Sequence, residues 1–397
     1  MNLELAKLEL TKTDSFPEPA EPGAVLTKRE LLELSQISTV RSTLHIIVEW
    51  SLILIAVSAC QRYWEPWLYL ATIFVIATRQ HSLMIMLHEG THYRLCRNRK
   101  LNDWVSELVL AWPVLISARS YRANHFAHHR YLNTDRDPDW VRRRGDQNWV
   151  FPKRPHEMAR LLLGDLIGLG AVALVKLLRT VASRDTDVSK GFLITRYAYY
   201  GAVAAVAFWS GTARLIFLYW LVPLFTCLVF IFRIRSIAEH SALQGEPTAY
   251  AGTRTTLPSF LERIFLAPKN VSYHLEHHLF PSVPFFRLPK LHALLCAQPE
   301  FLRAHMTRGY LGVLRECVGG ADAPQPAKRN QNPANCCYGR ALPPNLAELP
   351  PSGSVCAAWH PLSQTNGLLH RASSGSTGGH LLFPHCGCTR PATIRIT

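Results

Sequence analysis

The chain has 397 residues, 48% of them hydrophobic and only 18% charged, and 43 Lys+Arg against 28 Asp+Glu give a formal net charge of +15. Intrinsic disorder of the whole chain is excluded, because a disordered chain is poor in apolar residues and rich in charge. The excess of cations suits nucleic acid, anionic lipid or the positive-inside flanks of a membrane protein, and the 18 histidines call for a chemical explanation.

Residues 1–40 form a polar N-terminal segment, with Pro17, Pro19 and Pro22 in an acidic stretch and no apolar run of the kind a cleaved signal peptide carries. The first long apolar segment is 44–60 (LHIIVEWSLILIAVSAC) and the second is 67–87, joined by Gln61-Arg62-Tyr63-Trp64-Glu65-Pro66. Each approaches the ~20 residues a helix needs to cross a bilayer, so the pair predicts a transmembrane hairpin, with Trp50, Trp64 and Trp67 in the interfacial belt. Segments 104–118, which carries Glu107, and 161–178, which contains Asp165 and Lys176, are weaker candidates. A second hairpin is predicted at 197–209 and 215–234, around Ser210-Gly211-Thr212-Ala213-Arg214. The expected fold is therefore an all-α integral membrane protein. It has four transmembrane helices in two hairpins, further interfacial helices, and a membrane domain over residues 41–315.

Arg94, Arg97, Arg99, Lys100, Arg119, Arg122, Arg130, Arg142, Arg143 and Arg144 follow the second span, whereas the link inside the first hairpin holds only Arg62. The positive-inside rule then puts the N-terminus and residues 90–155 on the cytoplasmic side of a multi-pass protein. This accounts for much of the charge without nucleic acid. Residues 90–155 and 270–310 both carry histidine clusters (below) that can share a site only on one side of the bilayer, so an even number of crossings must separate them, and segments 197–209 and 215–234 supply two. Segment 161–178 is accordingly expected in the interface or under the cytoplasmic cap, with Lys176 and Arg179 snorkelling.

Eight histidines fall into three clusters: His88-Glu89-Gly90-Thr91-His92, His125-Phe126-Ala127-His128-His129 and His274-Leu275-Glu276-His277-His278. On a helix, positions i, i+3 and i+4 point to one side, so each cluster can aim two or three imidazoles at a common point. A ninth candidate is His240, at the end of the last span. Nine imidazoles exceed what one tetrahedral zinc takes. Nitrogen ligands suit Zn, Cu, Fe or Ni, and the number favours two metals with open positions. Ligating histidines usually donate their second N–H to a carboxylate or carbonyl; Glu89, Asp137, Glu239 and Glu276 are placed for that by sequence. His45 and His81 fall outside the clusters and read as structural, although His81 lies seven residues before His88, on a similar face that could line a tunnel.

His88-Glu89-Gly90-Thr91-His92 is also an H-E-x-x-H sequence, the zinc metallopeptidase signature, with Glu89 as its general base. The remaining clusters are surplus to a peptidase, which makes this the remote alternative.

The order HxxxH, HxxHH, HxxHH, interleaved with two apolar hairpins, resembles the membrane fatty acid desaturase superfamily, which includes acyl-lipid and acyl-CoA desaturases, fatty acyl hydroxylases and beta-carotene ketolases. The likeness covers about residues 40–310. It is closest at 125–140 (HFAHHRYLNTDRDPDW) and 270–281 (NVSYHLEHHLFP), followed by RLPKLH at 287–292. It implies a cytoplasmic helical cap around a non-haem di-iron centre bound by His88, His92, His125, His128, His129, His274, His277 and His278. His240 matches the family's extra histidine, and Asn270 matches an asparagine that some members hold near the site. The resemblance further implies O2 as co-substrate, an acyl-lipid, acyl-CoA or acyl-carrier substrate, and electrons from ferredoxin or cytochrome b5. No HPGG haem motif is present, so the donor is expected to be a separate protein, with the basic cytoplasmic surface at Arg142, Arg143 and Arg144 as its docking site. Desaturation is the favoured reaction, with carotenoid ketolation or acyl hydroxylation as alternatives.

Composition changes after about residue 320. Residues 321–397 hold five of the ten Cys, ten of the 26 Pro and only two acids, without helical period or apolar run. They read as a disordered extension, of a composition consistent with out-of-frame translation.

Overall fold

The computed structural model describes residues 26–182, 189–243 and 248–319. The predicted tail at 321–397 and most of the N-terminal segment lie outside the described residues. Helix α1 (Lys28–Leu34) is closed by a capping box between Thr27 and Glu30. Helix α2 (Thr39–Arg62) starts at Ser38, whose side chain accepts from the Arg41 N–H. Proline at the first position opens α3 (Pro66–Thr91), where its missing N–H costs no helical bond. The first two predicted apolar segments thus lie in adjacent packed helices.

Segment 104–118 is not among the helices long and apolar enough to cross a membrane. It continues α4 (Arg99–Val105) as a π-helical turn, Ser106–Ala111, and a 3-10 turn, Trp112–Val114, ending at left-handed Leu115. Its acid has a local task. Glu107 accepts from the Ala118 and Arg119 amides, each at 3.0 Å, and from the Ser117 hydroxyl at 3.2 Å. A carboxylate against those free amides stabilises the start of α5 (Ala118–Tyr131), which carries the second histidine cluster.

Helix α6 (Pro138–Arg143) is capped by Asp137. Segment 161–178 forms a bent pair, α7 (Pro155–Leu166) and α8 (Ala171–Ala182), with 71° between the apolar arms. The bend is sealed at Gly170, where a Cβ would meet Asp165 Oδ1 at 2.2 Å and Val229 Cγ1 at 2.7 Å. Asp165 itself takes a two-pronged bond from Arg233 at 2.7 and 3.1 Å. Helix α9 (Lys190–Trp209) contains predicted segment 197–209. Helices α10 (Ala213–Ile216), α11 (Val222–Phe225) and α12 (Cys227–His240), with a π turn at Phe217–Leu221, make up the last long apolar stretch.

Among the described residues, three stretches are long and apolar enough to cross a membrane: Lys28–Arg62, Pro66–Thr91 and Ala213–His240; the bent pair makes a fourth if counted as one span. Three of the four predicted segments lie in these stretches; the remaining one, 197–209, lies in α9, which is less apolar overall because its N-terminal part carries Lys190 and Arg196. Large apolar side chains on α2 and α9 point outward, including Leu54 (65% exposed) and Phe208 (80%). Water leaves such continuous apolar faces uncovered at high cost, whereas lipid covers them.

The structure is also not purely helical. Strands β1 (Arg254–Leu257) and β2 (His305–Arg308) pair in parallel, Arg254 opposite His305 through Leu257 opposite Arg308. Thr256 N–H donates to Ser272 O at 3.0 Å, which ties this ribbon to the segment leading into helix α13 (His274–Leu279) and the third cluster.

Candidate metal centre

The four elements that carry histidines meet at the ends of α3 and α12. Their ring nitrogens separate into two groups, each with its ligand atoms within 4.8 Å of one another: His88, His92, His125, His129 and His277 in one, and His128, His240, His274 and His278 in the other. The two groups together take in all nine histidines expected as ligands, and sequence order does not give the partition. In both HxxHH clusters the i,i+4 pair serves one group while the i+3 residue crosses to the other. Each of these helices therefore lies between the two sites and shares its histidines across them. The sites adjoin closely, with the His129 and His278 rings stacked 4.2 Å apart.

The short distances between ring nitrogens test whether a metal fits. Nε2 atoms approach at 2.9 Å for His92–His125, 3.0 Å for His125–His129, 3.0 Å for His129–His277, 2.9 Å for His240–His274 and 3.1 Å for His274–His278. Two imidazoles bound at a right angle, with metal–nitrogen bonds of ~2.1 Å, place their nitrogens about 3.0 Å apart, and a tetrahedral angle places them about 3.4 Å apart. Five donors in one group and spacings near 3.0 Å fit a metal of coordination number five or six better than tetrahedral zinc. Buried His88 Nε2 has no hydrogen-bond partner, as a ligand atom directed at a cation would not.

Protonation is arranged for the same task. Burial pushes the His92 imidazole down to about 3. Burial first, and neighbouring rings second, hold His125, His129, His274, His277 and His278 well below the usual histidine range. These rings are neutral at physiological pH and offer lone pairs, as metal binding requires.

The outer nitrogens are held by the surroundings. His128 Nδ1 lies 3.0 Å from both oxygens of Asp137, which is buried and also accepts from the Asn133 and Asp139 amides at 3.0 and 2.9 Å. His240 Nδ1 donates to Gly252 O at 3.0 Å. His274 Nδ1 is 3.5 Å from Glu239, which also accepts from Arg235 at 2.6 Å. The other sequence candidates face elsewhere. Glu89 accepts from the Phe285 amide at 2.9 Å and stays 3.8 Å from His88 Nδ1. Glu276 accepts from the Thr255 hydroxyl at 2.7 Å and pairs with His292. Two residues along a helix from His274, it projects away from the ligand face. The Asn270 amide donates to Phe285 O at 3.0 Å. His45 Nδ1 meets Lys269 Nζ at 3.0 Å, and His81 packs edge-on to Phe232.

Three positioning groups are not evident from sequence. Arg122 on α5 donates to the Thr91 and Gly90 carbonyls, each at 3.1 Å, to Tyr93 OH at 2.9 Å and to Asp103 at 2.6 Å. A guanidinium at the C-terminus of α3 complements the helix dipole and locks the first cluster to the second. Asn102 Nδ2 donates to Gly90 O at 2.8 Å. Gly90 itself cannot be enlarged freely, since a Cβ would meet Ser106 Oγ at 2.2 Å and Leu95 Cδ1 at 3.1 Å.

Beside the second group lies a cavity of about 450 Å³. His125, His128, His240 and His274 form one part of its wall, and Met84, Leu87, Val114, Ile116, Leu228 and Phe232 form an apolar part. Tyr121 also lines it and stacks on His125 with ring centres 5.6 Å apart.

A family model described as fatty acid desaturase matches residues 65–310. Among curated proteins, the chain is 27% identical to a dihydrorhizobitoxine desaturase from Bradyrhizobium elkanii, over 62% of this chain and 73% of that protein. It is also 27% identical to a beta-carotene ketolase from Paracoccus sp. (strain N81106 / MBIC 01143), over 68% of this chain and 95% of the ketolase.

Proposed function

The chain belongs to the fatty acid desaturase family, and from that premise we propose that it desaturates an alkyl or fatty acyl chain with O2 at a non-haem di-iron centre held by the nine histidines. The observation that carries this reading is the shared wall: the ligand histidines and an apolar surface bound one cavity. Bound iron supplies O2 activation and the removal of hydrogen from unactivated C–H bonds, with electrons delivered by ferredoxin or cytochrome b5.

The chain's own residues supply position and dryness. Met84, Leu87, Leu228 and Phe232 hold an alkyl segment against the histidine wall and exclude water. Asp137, Glu239 and the Gly252 carbonyl fix the orientation of three ligand rings. Burial pushes the Tyr121 phenol up, so it remains a neutral, proton-bearing group beside His125.

In this reading the spans lie in a membrane, with the N-terminus, residues 90–155 and residues 270–310 on the cytoplasmic side under a helical cap. A glycosylation-site scan that put the latter two regions on opposite sides would overturn this orientation. The peptidase alternative loses support, because both histidines of the H-E-x-x-H sequence belong to a five-histidine group and Glu89 is engaged by Phe285.

The test is expression of the full chain in a host with lipid and pigment profiling. New carbon–carbon double bonds in acyl chains support desaturation. Ketocarotenoids or hydroxylated chains, with no new double bond, would replace it with the alternative reactions.

A further inference from the structure

The sequence presents Arg142, Arg143 and Arg144 as one basic patch, but the fold divides it. Arg144 is exposed and pairs with Asp135, whereas Arg142 and Arg143 line the same cavity as His125, His128, His240 and His274. Arg142 is tethered to Asp139 at 3.3 Å, and Asp139 N–H is bonded to Asp137, the partner of His128. Arg143 has no ion pair among the described residues; its guanidinium lies 4.6 Å over the Trp149 ring, which also covers Arg233 at 4.8 Å. The Nε atoms of both Arg142 and Arg143 are buried and lack hydrogen-bond partners.

The other charged residues on this wall are Asp139, Asp146, Lys176, Arg233, Arg235 and Glu239. Arg233 is paired with Asp165, and Arg235 with Glu239. The wall still carries more cations (Arg142, Arg143, Lys176, Arg233 and Arg235) than carboxylates (Asp139, Asp146 and Glu239), and the Arg143 guanidinium, stacked on an indole, is in no ion pair among the described residues. Guanidinium groups in this state recognise carboxylate or phosphate, because their planar donors match two oxygens at once. The distance is short: Arg142 lies five helical residues beyond Asp137, or about 7.5 Å along α6.

We propose that Arg142 and Arg143 form an anion-binding subsite within the cavity, so that the substrate is an alkyl compound whose own carboxylate or phosphate end enters beside the metal centre. The proposal rests on the reading of this cavity as the substrate site. It selects against uncharged hydrocarbons, and it assigns these two arginines to substrate rather than to a redox partner.

The experiment uses purified full-length protein loaded with iron, in detergent micelles or nanodiscs, and measures binding of octanoate, octyl phosphate and 1-octanol by calorimetry. At least one anion is expected to bind about tenfold or more tightly than 1-octanol, and Arg143→Gln is expected to remove that preference at unchanged iron content. Arg144→Gln is expected to leave it intact. Preference for octanoate identifies a carboxylate end, and preference for octyl phosphate a phosphate end. Equal binding of all three compounds by the wild-type protein overturns the proposal even if Arg143→Gln fails to fold. So does an anion preference that survives in Arg143→Gln and in Arg142→Gln. Iron content is read separately, so absence of iron would fail the di-iron reading without deciding the anion preference.

Discussion

Replacing Asp137 by Asn should unload one metal position and spare the other. Asp137 is 1% exposed; its carboxylate meets His128 Nδ1 at 3.0 Å through both oxygens and accepts two backbone N–H groups at 2.9 and 3.0 Å. Asn keeps one acceptor oxygen but turns the other into a donor, which faces the Asn133 N–H or the Asp139 N–H, with His128 Nδ1 also in reach. The mispaired buried donor costs about 1–3 kcal/mol. His128 belongs to the four-histidine group, so the loss falls on that group. Removing such a partner typically weakens metal binding by about 10–100-fold. Iron titration with elemental analysis of the bound fraction should show two equivalents per chain in the wild type. In Asp137→Asn one equivalent should be weakened by that factor, the other binding as before. Equal weakening of both equivalents, or of neither, would refute the assignment of Asp137 and the division of the histidines into two groups.

Glu49→Gln should destabilise the protein by about 3–5 kcal/mol, since it leaves Arg79 (3.2 Å) and Lys269 (2.6 Å) buried without their shared carboxylate; the check is the thermal midpoint in detergent. Gly90→Ala must push α3 from the π turn at Ser106, costing about 1–3 kcal/mol, and should lower metal occupancy more than stability because His88 and His92 flank it. The metal-free protein should lose stability as pH falls. His92 and five further ligand rings outside the spans are held below their unfolded value of about 6.5 by burial. The unfolded chain therefore takes up protons first, so stability falls from about pH 6.5 downward, the His92 contribution continuing toward about 3. A melting temperature that stays flat between pH 7 and 5 would contradict this.

The gathering of nine histidines was legible because helical spacing marks residues that share a face. Their division between two groups was not, because it depends on how the helices with HxxHH lie between the sites. Carboxylates adjacent in sequence to these histidines turn off their face: Glu89, next to His88, and Glu276, next to His277, bond instead toward Phe285, Thr255 and His292. Asp137, nine residues after His128, reaches it because the chain reverses through left-handed Asn133. Arg122, Asn102 and Glu107 act on helix ends, and nothing in their spacing announces the end they would meet. The apolar stretches at the start and at Ala213–His240 were plain from composition, whereas α9 is a less apolar helix with charges in its N-terminal part. Arg142 and Arg143 looked like part of a surface stripe, and only the packing of α6 and Trp149 turned them inward.

The metal content of the purified full-length protein tests the central claim most directly. About two irons per chain, falling when His128 or His277 is replaced by Ala, is the predicted result. One zinc per chain, retained in both variants, would contradict it.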